Sequence, residues 1–132
     1  MFANIILAVL NFAFPDVCKT PTPAGPVPIP YPNFALSISH IPSQFCVIIG
    51  CGLAENLLTQ GTISEGDDAG VGTGIVSDEV MGPDRYVFGS LKVCIGGIFA
   101  ARLTSITTAN GLVGNIVGLS ITPSQFVVLV LG

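Results

Sequence analysis

Seven of the chain's ten prolines fall between Pro15 and Asn33, in the run PDVCKTPTPAGPVPIPYPN. Proline has no backbone N–H to donate and fixes φ near about −65°. No helix can pass through such a run. The run therefore predicts an extended, rigid strap, with Pro21, Pro23, Pro26, Pro28, Pro30, Tyr31 and Pro32 as its structural residues. It is expected to wrap the rest of the domain and shield open strand edges from promiscuous pairing. Its PxxP spacing also matches proline-rich ligands, but a ligand of that kind is exposed and flexible, which a domain this poor in charge does not favour.

The 132 residues suffice for one domain with a core of its own. Half of them are hydrophobic and only 9% are charged, against about 25% charged in an average soluble domain. A membrane span needs about 20 consecutive apolar residues. The N-terminal run MFANIILAVLNFAF is interrupted by Asn4 and Asn11 and meets Pro15 and Asp16, and glycine or proline breaks every later apolar run. The N-terminus also lacks the basic segment and small-residue cleavage site of a secretion leader. The composition thus predicts a non-membrane protein with a large apolar surface that a partner covers. Nucleic acid is excluded as that partner: the net charge is −4, and the four basic residues, Lys19, Arg85, Lys92 and Arg102, are scattered.

An internal echo gives the architecture. PSQFCVIIG (Pro42 to Gly50) returns as PSQFVVLVLG (Pro123 to Gly132), with a weaker copy, GSLKVCIGG (Gly89 to Gly97), between them. The first and middle copies continue alike, aligning Ala54 with Ala100 and Leu57 with Leu103. Short runs rich in Val and Ile, bounded by Pro, Ser and Gly, read as strands. Their uneven spacing rules out a long regular solenoid, and three related strands in one small domain predict pseudo-threefold organisation. Further strands are expected at Val71–Val76 and Tyr86–Phe88, and a hairpin at Asn110-Gly111. GLAENLL is the one candidate short helix, and NIILAVL reads as strand. The fold class is all-β.

Of the four cysteines, Cys46, Cys51 and Cys94 lie in apolar runs, where free cysteine behaves as a small buried hydrophobe. The acidic SEGDDAG loop (Glu65, Asp67, Asp68) reads as a solvated turn, since it lacks the alternating oxygen ligands of a calcium loop.

The stretches MFAN, FPDVC, PIPYPN, GDDAGVGTGIVS, VMGPDR, GSLKVCIGGIFAARLTS and PSQFVVLVL, taken in order, resemble the PAAR-like proteins of type VI secretion and related contractile injection systems. The likeness runs through nearly the whole chain, and the PIPYPN signature, Pro28 to Asn33, is its most specific part. The resemblance implies a small conical β-prism or β-solenoid-like domain over residues 1–132, seated as one copy on the blunt end of a trimeric VgrG-type spike. It implies a structural tip that sharpens the spike for membrane puncture and attaches effector or adaptor proteins, with transient contact with the target membrane. The tip would be assembled in the bacterial cytoplasm and carried outward on the spike. With no effector extension after Gly132, a stand-alone tip is expected. Phe45, Val47, Ile49, Val93, Ile95, Phe126, Val128 and Val130, on the three related strands, are the expected partner-binding residues. Strand addition to the partner's β-structure would supply backbone hydrogen bonds there. An effector-loading adaptor is the alternative, and a small hydrolytic toxin a more distant one.

Related tips hold a metal near the apex with histidines and a cysteine. At the positions where histidines are expected this chain has Glu55 and Tyr86, and its single histidine, His40, reads as a lone turn or surface residue. No cofactor is expected; a zinc site from His40, Cys46 and Cys51 is the alternative, and without it packing of Ile, Val and Leu must hold the apex. No catalytic constellation is visible: Glu55 and the carboxylates of the EGDD loop have no evident partner, so an enzyme is not expected.

Overall fold

The computed structural model describes residues 1–132, and the chain is all β. Two long strands, β1 (Leu10–Thr22) and β2 (Gly25–Leu36), are followed by a 3-10 turn at Ser37–Ser39. Then come β3 (His40–Ile41), β4 (Ile48–Ile49), β5 (Gly52–Leu53), β6 (Gln60–Gly61), β7 (Arg85–Phe88), β8 (Cys94–Ile95), β9 (Ile98–Phe99), β10 (Ile106–Ala109) and β11 (Ile116–Ser120). Seven strands form one sheet in the order β2-β1-β11-β10-β7-β6-β3, while β4–β5 and β8–β9 are separate hairpins.

The proline run is a β-hairpin of its own rather than a strap laid over other strands. Pro26, Pro28 and Pro30 of the edge strand β2 stand opposite Pro21, Lys19 and Val17 of β1. In an antiparallel pair, opposed residues either exchange hydrogen bonds or both face away. Lys19 faces away from β2: its N–H donates to Thr73 O at 2.8 Å and its carbonyl accepts from Gly72 N at 2.8 Å, while Val17 O accepts from Ile75 N at 3.2 Å. Pro28 and Pro30 therefore turn their nitrogens to the open edge, and the period of two puts Pro26 there as well. At these positions the edge has no donor to offer another strand. Where the prolines stop, Phe34 exchanges two 2.7 Å backbone bonds with Glu65, which closes the rest of the edge.

The expected threefold organisation is present in the backbone. The β4–β5 and β8–β9 hairpins pair Ile48 with Leu53 and Cys94 with Phe99. A third, equivalent pairing joins Leu129 to Phe2 and so brings together the two ends of the chain. Ala54, Ala100 and Ala3 follow these pairs and donate to Val47, Val93 and Val128 carbonyls at 2.9–3.0 Å. One residue further on, a closed ring forms: Asn4 N donates to Ala101 O (3.1 Å), Ala101 N to Glu55 O (3.0 Å), and Glu55 N to Asn4 O (2.9 Å). A second ring of the same kind links Ile6 to Leu53, Leu57 to Phe99 and Leu103 to Phe2, at 2.8–3.0 Å. The apolar core sits inside these rings, built from the triads Ala3, Ala54, Ala100 and Ile49, Ile95, Val130, with Ile5.

Three expected elements differ. GLAENLL is no helix, because Ala54 N is bonded to Val47 O and the backbones of Glu55 and Leu57 are committed to the two rings. NIILAVL contributes an isolated bridge at Ile5 and a turn, and β1 starts only at Leu10. Residues 71–76 form turns around a single bridge, Gly74 to Cys18, rather than a strand, and lie flat against β1: a Cβ on Gly72 would stand 2.4 Å from Lys19 O, an approach that only glycine permits. The hairpin at Asn110-Gly111 is present between β10 and β11, and Tyr86–Phe88 lies in β7.

Candidate partner-docking face

Each threefold hairpin is braced from within. Gln44 Oε1 accepts from the N–H groups of Cys46 (2.9 Å) and Val47 (2.8 Å), while its Nε2 donates to Ala54 O at 2.7 Å. Gln125 repeats this with Val127 and Val128 (2.7 and 2.8 Å) and donates to Ala3 O at 3.0 Å. In the middle copy Ser90 Oγ accepts from Lys92 and Val93 N–H at 3.2 and 3.0 Å. A buried polar anchor thus fixes each bend, and the apolar side chains beyond it turn outward. Phe45, Leu91 and Phe126, which occupy equivalent positions, are 71%, 61% and 72% exposed. Ile48, Cys94 and Leu129 form a second exposed triad. Lys92 is the only charged side chain within residues 43–54, 89–100, 124–132 and 1–3.

Of the residues expected to bind a partner, Phe45, Phe126 and Val128 lie on this face. Ile49, Ile95 and Val130 instead point inward and form the core, and Val47 and Val93 are partly buried against it. Ile48, Leu91, Val127 and Leu129 belong to the face but escaped the sequence reading. Strands of two residues are too short to show which way the alternation runs.

Behind the face the interior is polar. Buried polar side chains outnumber buried apolar ones, while residues such as Phe14, Leu36, Ile38 and Val117 are exposed. Ile, Val and Leu packing therefore holds only the threefold centre. His40 is a correction: it is buried, with Nδ1 2.6 Å from Glu55 Oε1 and Nε2 3.4 Å from Asp84 Oδ2. Burial alone would lower its pKa, but the hydrogen bonds and charges of Asp84 and Glu55 outweigh this and raise it to about 9. The residue is an imidazolium between two carboxylates. Glu55, for which no partner was expected, also accepts from Tyr86 Oη at 2.6 Å. Asn4 donates to Tyr86 Oη (3.2 Å) and Ser120 Oγ (2.9 Å), Ser120 to Asn11 Oδ1 (2.7 Å), and Asn11 to Asp84 Oδ2 (2.8 Å). Burial and Glu55 push the Tyr86 pKa well above the ordinary phenol value. Gly61 admits Asp84 to this network, since a Cβ there would fall 1.6 Å from Asp84 Oδ1.

The cysteines reverse expectation. Cys46, Cys51 and Cys94 are exposed on the hairpins, and Cys18 is the buried one. His40, Cys46 and Cys51 are not gathered into a ligand set. The residues that do converge are Asp16, Cys18 and Asp67, all buried, with ligand atoms within 4.8 Å of one another. Asp67, expected in a solvated turn, is fully buried and accepts from Met81 N–H at 3.3 Å through each carboxylate oxygen.

No helix is long and apolar enough to cross a membrane. Comparison with known proteins found no match among curated proteins or solved structures. One family model matches, the toxin PAAR-like domain, over residues 9–118. That range holds the proline hairpin, most of the wide sheet, the first two threefold hairpins and most of the polar interior. On this match, and on the signature carried by β2, the chain belongs to the toxin PAAR-like domain family.

Proposed function

We propose that the chain is the structural tip of a contractile injection spike, seated through its threefold face on the end of a trimeric VgrG-type partner. Family membership associates it with the spike machinery. The observation that carries the finer reading is the closed ring through Asn4, Ala101 and Glu55, from which three apolar hairpins project. One chain thereby offers equivalent uncharged surfaces in three directions, which is what a single subunit needs to cap a threefold shaft. Exposed apolar residues at equivalent positions, with Lys92 the only charge among them, fit an interface core depleted of ions. Burial of Glu55, His40 and Asp67 keeps them from any substrate, which favours a structural role over a catalytic one. During puncture the tip would meet the target membrane only in passing.

An effector-loading role draws on a different feature. An apolar groove of about 430 Å³ on the wide sheet, lined by Phe12, Phe14, Ile106, Val117, Leu119 and Ile121, is distinct from the threefold face. Co-expression with the trimeric spike protein, followed by mass measurement of the purified complex, tests the main reading. One copy per trimer is expected; three copies, or no complex, would count against it.

A further inference from the structure

Where the proline hairpin meets the loop around Asp67, three acidic groups are packed with no basic side chain among them. Asp16 follows the bulge in β1, Cys18 lies two residues on and so shares its face, and Asp67 is brought in after the left-handed Gly66. All three are 0% exposed. The chain's ion pairs lie elsewhere: Lys19 turns outward to Asp78, and His40 serves Glu55 and Asp84. Buried carboxylates without a counter-charge are costly.

The donors of Asn115, Met81 and Asn110 are arranged to favour the ionised forms. Asn115 Nδ2 donates to Asp16 Oδ1. Met81 N–H is shared between the oxygens of Asp67, and Asn110 Nδ2 donates to Cys18 Sγ at 3.6 Å. This is the pattern of outer groups that orient metal ligands. Independently, the Asn33 carbonyl oxygen is fully buried and has no hydrogen-bond partner, although its carboxamide lies against Asp16. Half a turn of that carboxamide would present Oδ1 where Nδ2 now stands, because the two ends have nearly the same shape.

The spacing suits a particular ion. Cys18 Sγ lies 3.8 Å from Asp16 Oδ1 and 3.6 Å from Asp67 Oδ2. Tetrahedral zinc with bonds of about 2.3 Å to sulfur and about 2.1 Å to oxygen separates its sulfur and oxygen ligands by about 3.6 Å. A thiolate beside carboxylates selects zinc over magnesium or calcium, which take oxygen alone. We propose that Asp16, Cys18 and Asp67, with the Asn33 carboxamide as fourth ligand, form a structural zinc site that fastens the loop after Gly66 to the proline hairpin. Zinc takes the place of the Cys18 thiol proton, which leaves to solvent, and the two carboxylates bind ionised. The site shares no residue with His40, Cys46 or Cys51, and it stands whether or not the chain caps a spike.

The test uses the full chain with Cys46, Cys51 and Cys94 changed together to Ser, leaving Cys18 as the only thiol. Elemental analysis should give one zinc per chain. Replacement by cobalt(II) should give a thiolate-to-cobalt charge-transfer band, and chelation should lower the Tm. Adding Cys18→Ser should remove the band and reduce bound zinc at least tenfold. Asp67→Asn, which keeps the thiol, should weaken zinc binding at least tenfold. A folded triple variant with substoichiometric zinc or no charge-transfer band would overturn the proposal, as would zinc retained in full after Cys18→Ser.

Discussion

Tyr86 donates its hydroxyl to Glu55 Oε2 at 2.6 Å across 31 residues of chain, tying β7 of the wide sheet to the threefold ring. These are the two positions at which the family resemblance led us to expect metal-binding histidines. An acid, a phenol and the His40 imidazolium occupy that place, so hydrogen bonding makes a cross-link there. Tyr86→Phe keeps the ring but leaves Glu55 Oε2 short of a partner in a dry site, while Asn4 Nδ2 keeps Ser120 Oγ and Arg102 O. A loss of about 1–3 kcal/mol is expected, measured by denaturant unfolding with an unchanged m-value. Unaltered stability would show that the network does not join the two parts.

His40 makes stability depend on pH in a defined direction. Its pKa is raised from 6.5 to about 9 in the folded chain. Its contribution is therefore complete below the unfolded value and is lost as pH rises through the folded one. Stability should fall between pH 6.5 and 9, by about 3 kcal/mol in all. His40→Gln, which cannot become charged, should be less stable at pH 6 and show a flatter profile over that window. Thermal unfolding at constant ionic strength checks this. Equal slopes in the two proteins would remove the imidazolium from the account.

The parts of the fold that were legible in the sequence are those where the backbone leaves a chemical mark. Prolines at alternate positions mark β2, and PSQF marks two of the three bends because Gln44 and Gln125 do the same bracing. The third pairing stayed hidden because its partner strand, around Phe2, lies at the far end of the chain from Leu129. The polar interior was also hidden. Apolar periodicity locates a core only when apolar residues face inward, and here Ile48 and Phe45 face out while Glu55 and His40 face in. That inversion misplaced the cysteines and made Glu55 and Asp67 look unpartnered.

On the threefold face, Phe45, Leu91 and Phe126 are equivalent, so they should contribute comparably to docking. Each single change to Asp is expected to weaken binding to the trimeric spike by about 2 kcal/mol, or about 30-fold. The triple change should abolish it. Val113→Asp, at the tip of the β10–β11 hairpin, serves as the control and should bind normally. Titration against the immobilised spike gives the comparison. Loss confined to one position would mean that the face is not read as threefold.

The prolines of β2 make a separate prediction about association. Pro28 and Pro30 direct their nitrogens away from β1, so replacing both with Val leaves the internal ladder intact and supplies two outward N–H donors on a strand of high β propensity. Folding should survive, because no β1–β2 hydrogen bond depends on either proline. What changes is the edge, which becomes able to pair with another copy. To keep the apolar face from dominating the readout, the comparison is made with the spike-bound complex. The Pro28→Val, Pro30→Val complex should self-associate at concentrations where the wild-type complex stays monodisperse by light scattering. Unfolding of the double variant, or the absence of any added association, would refute edge protection as the role of these two prolines.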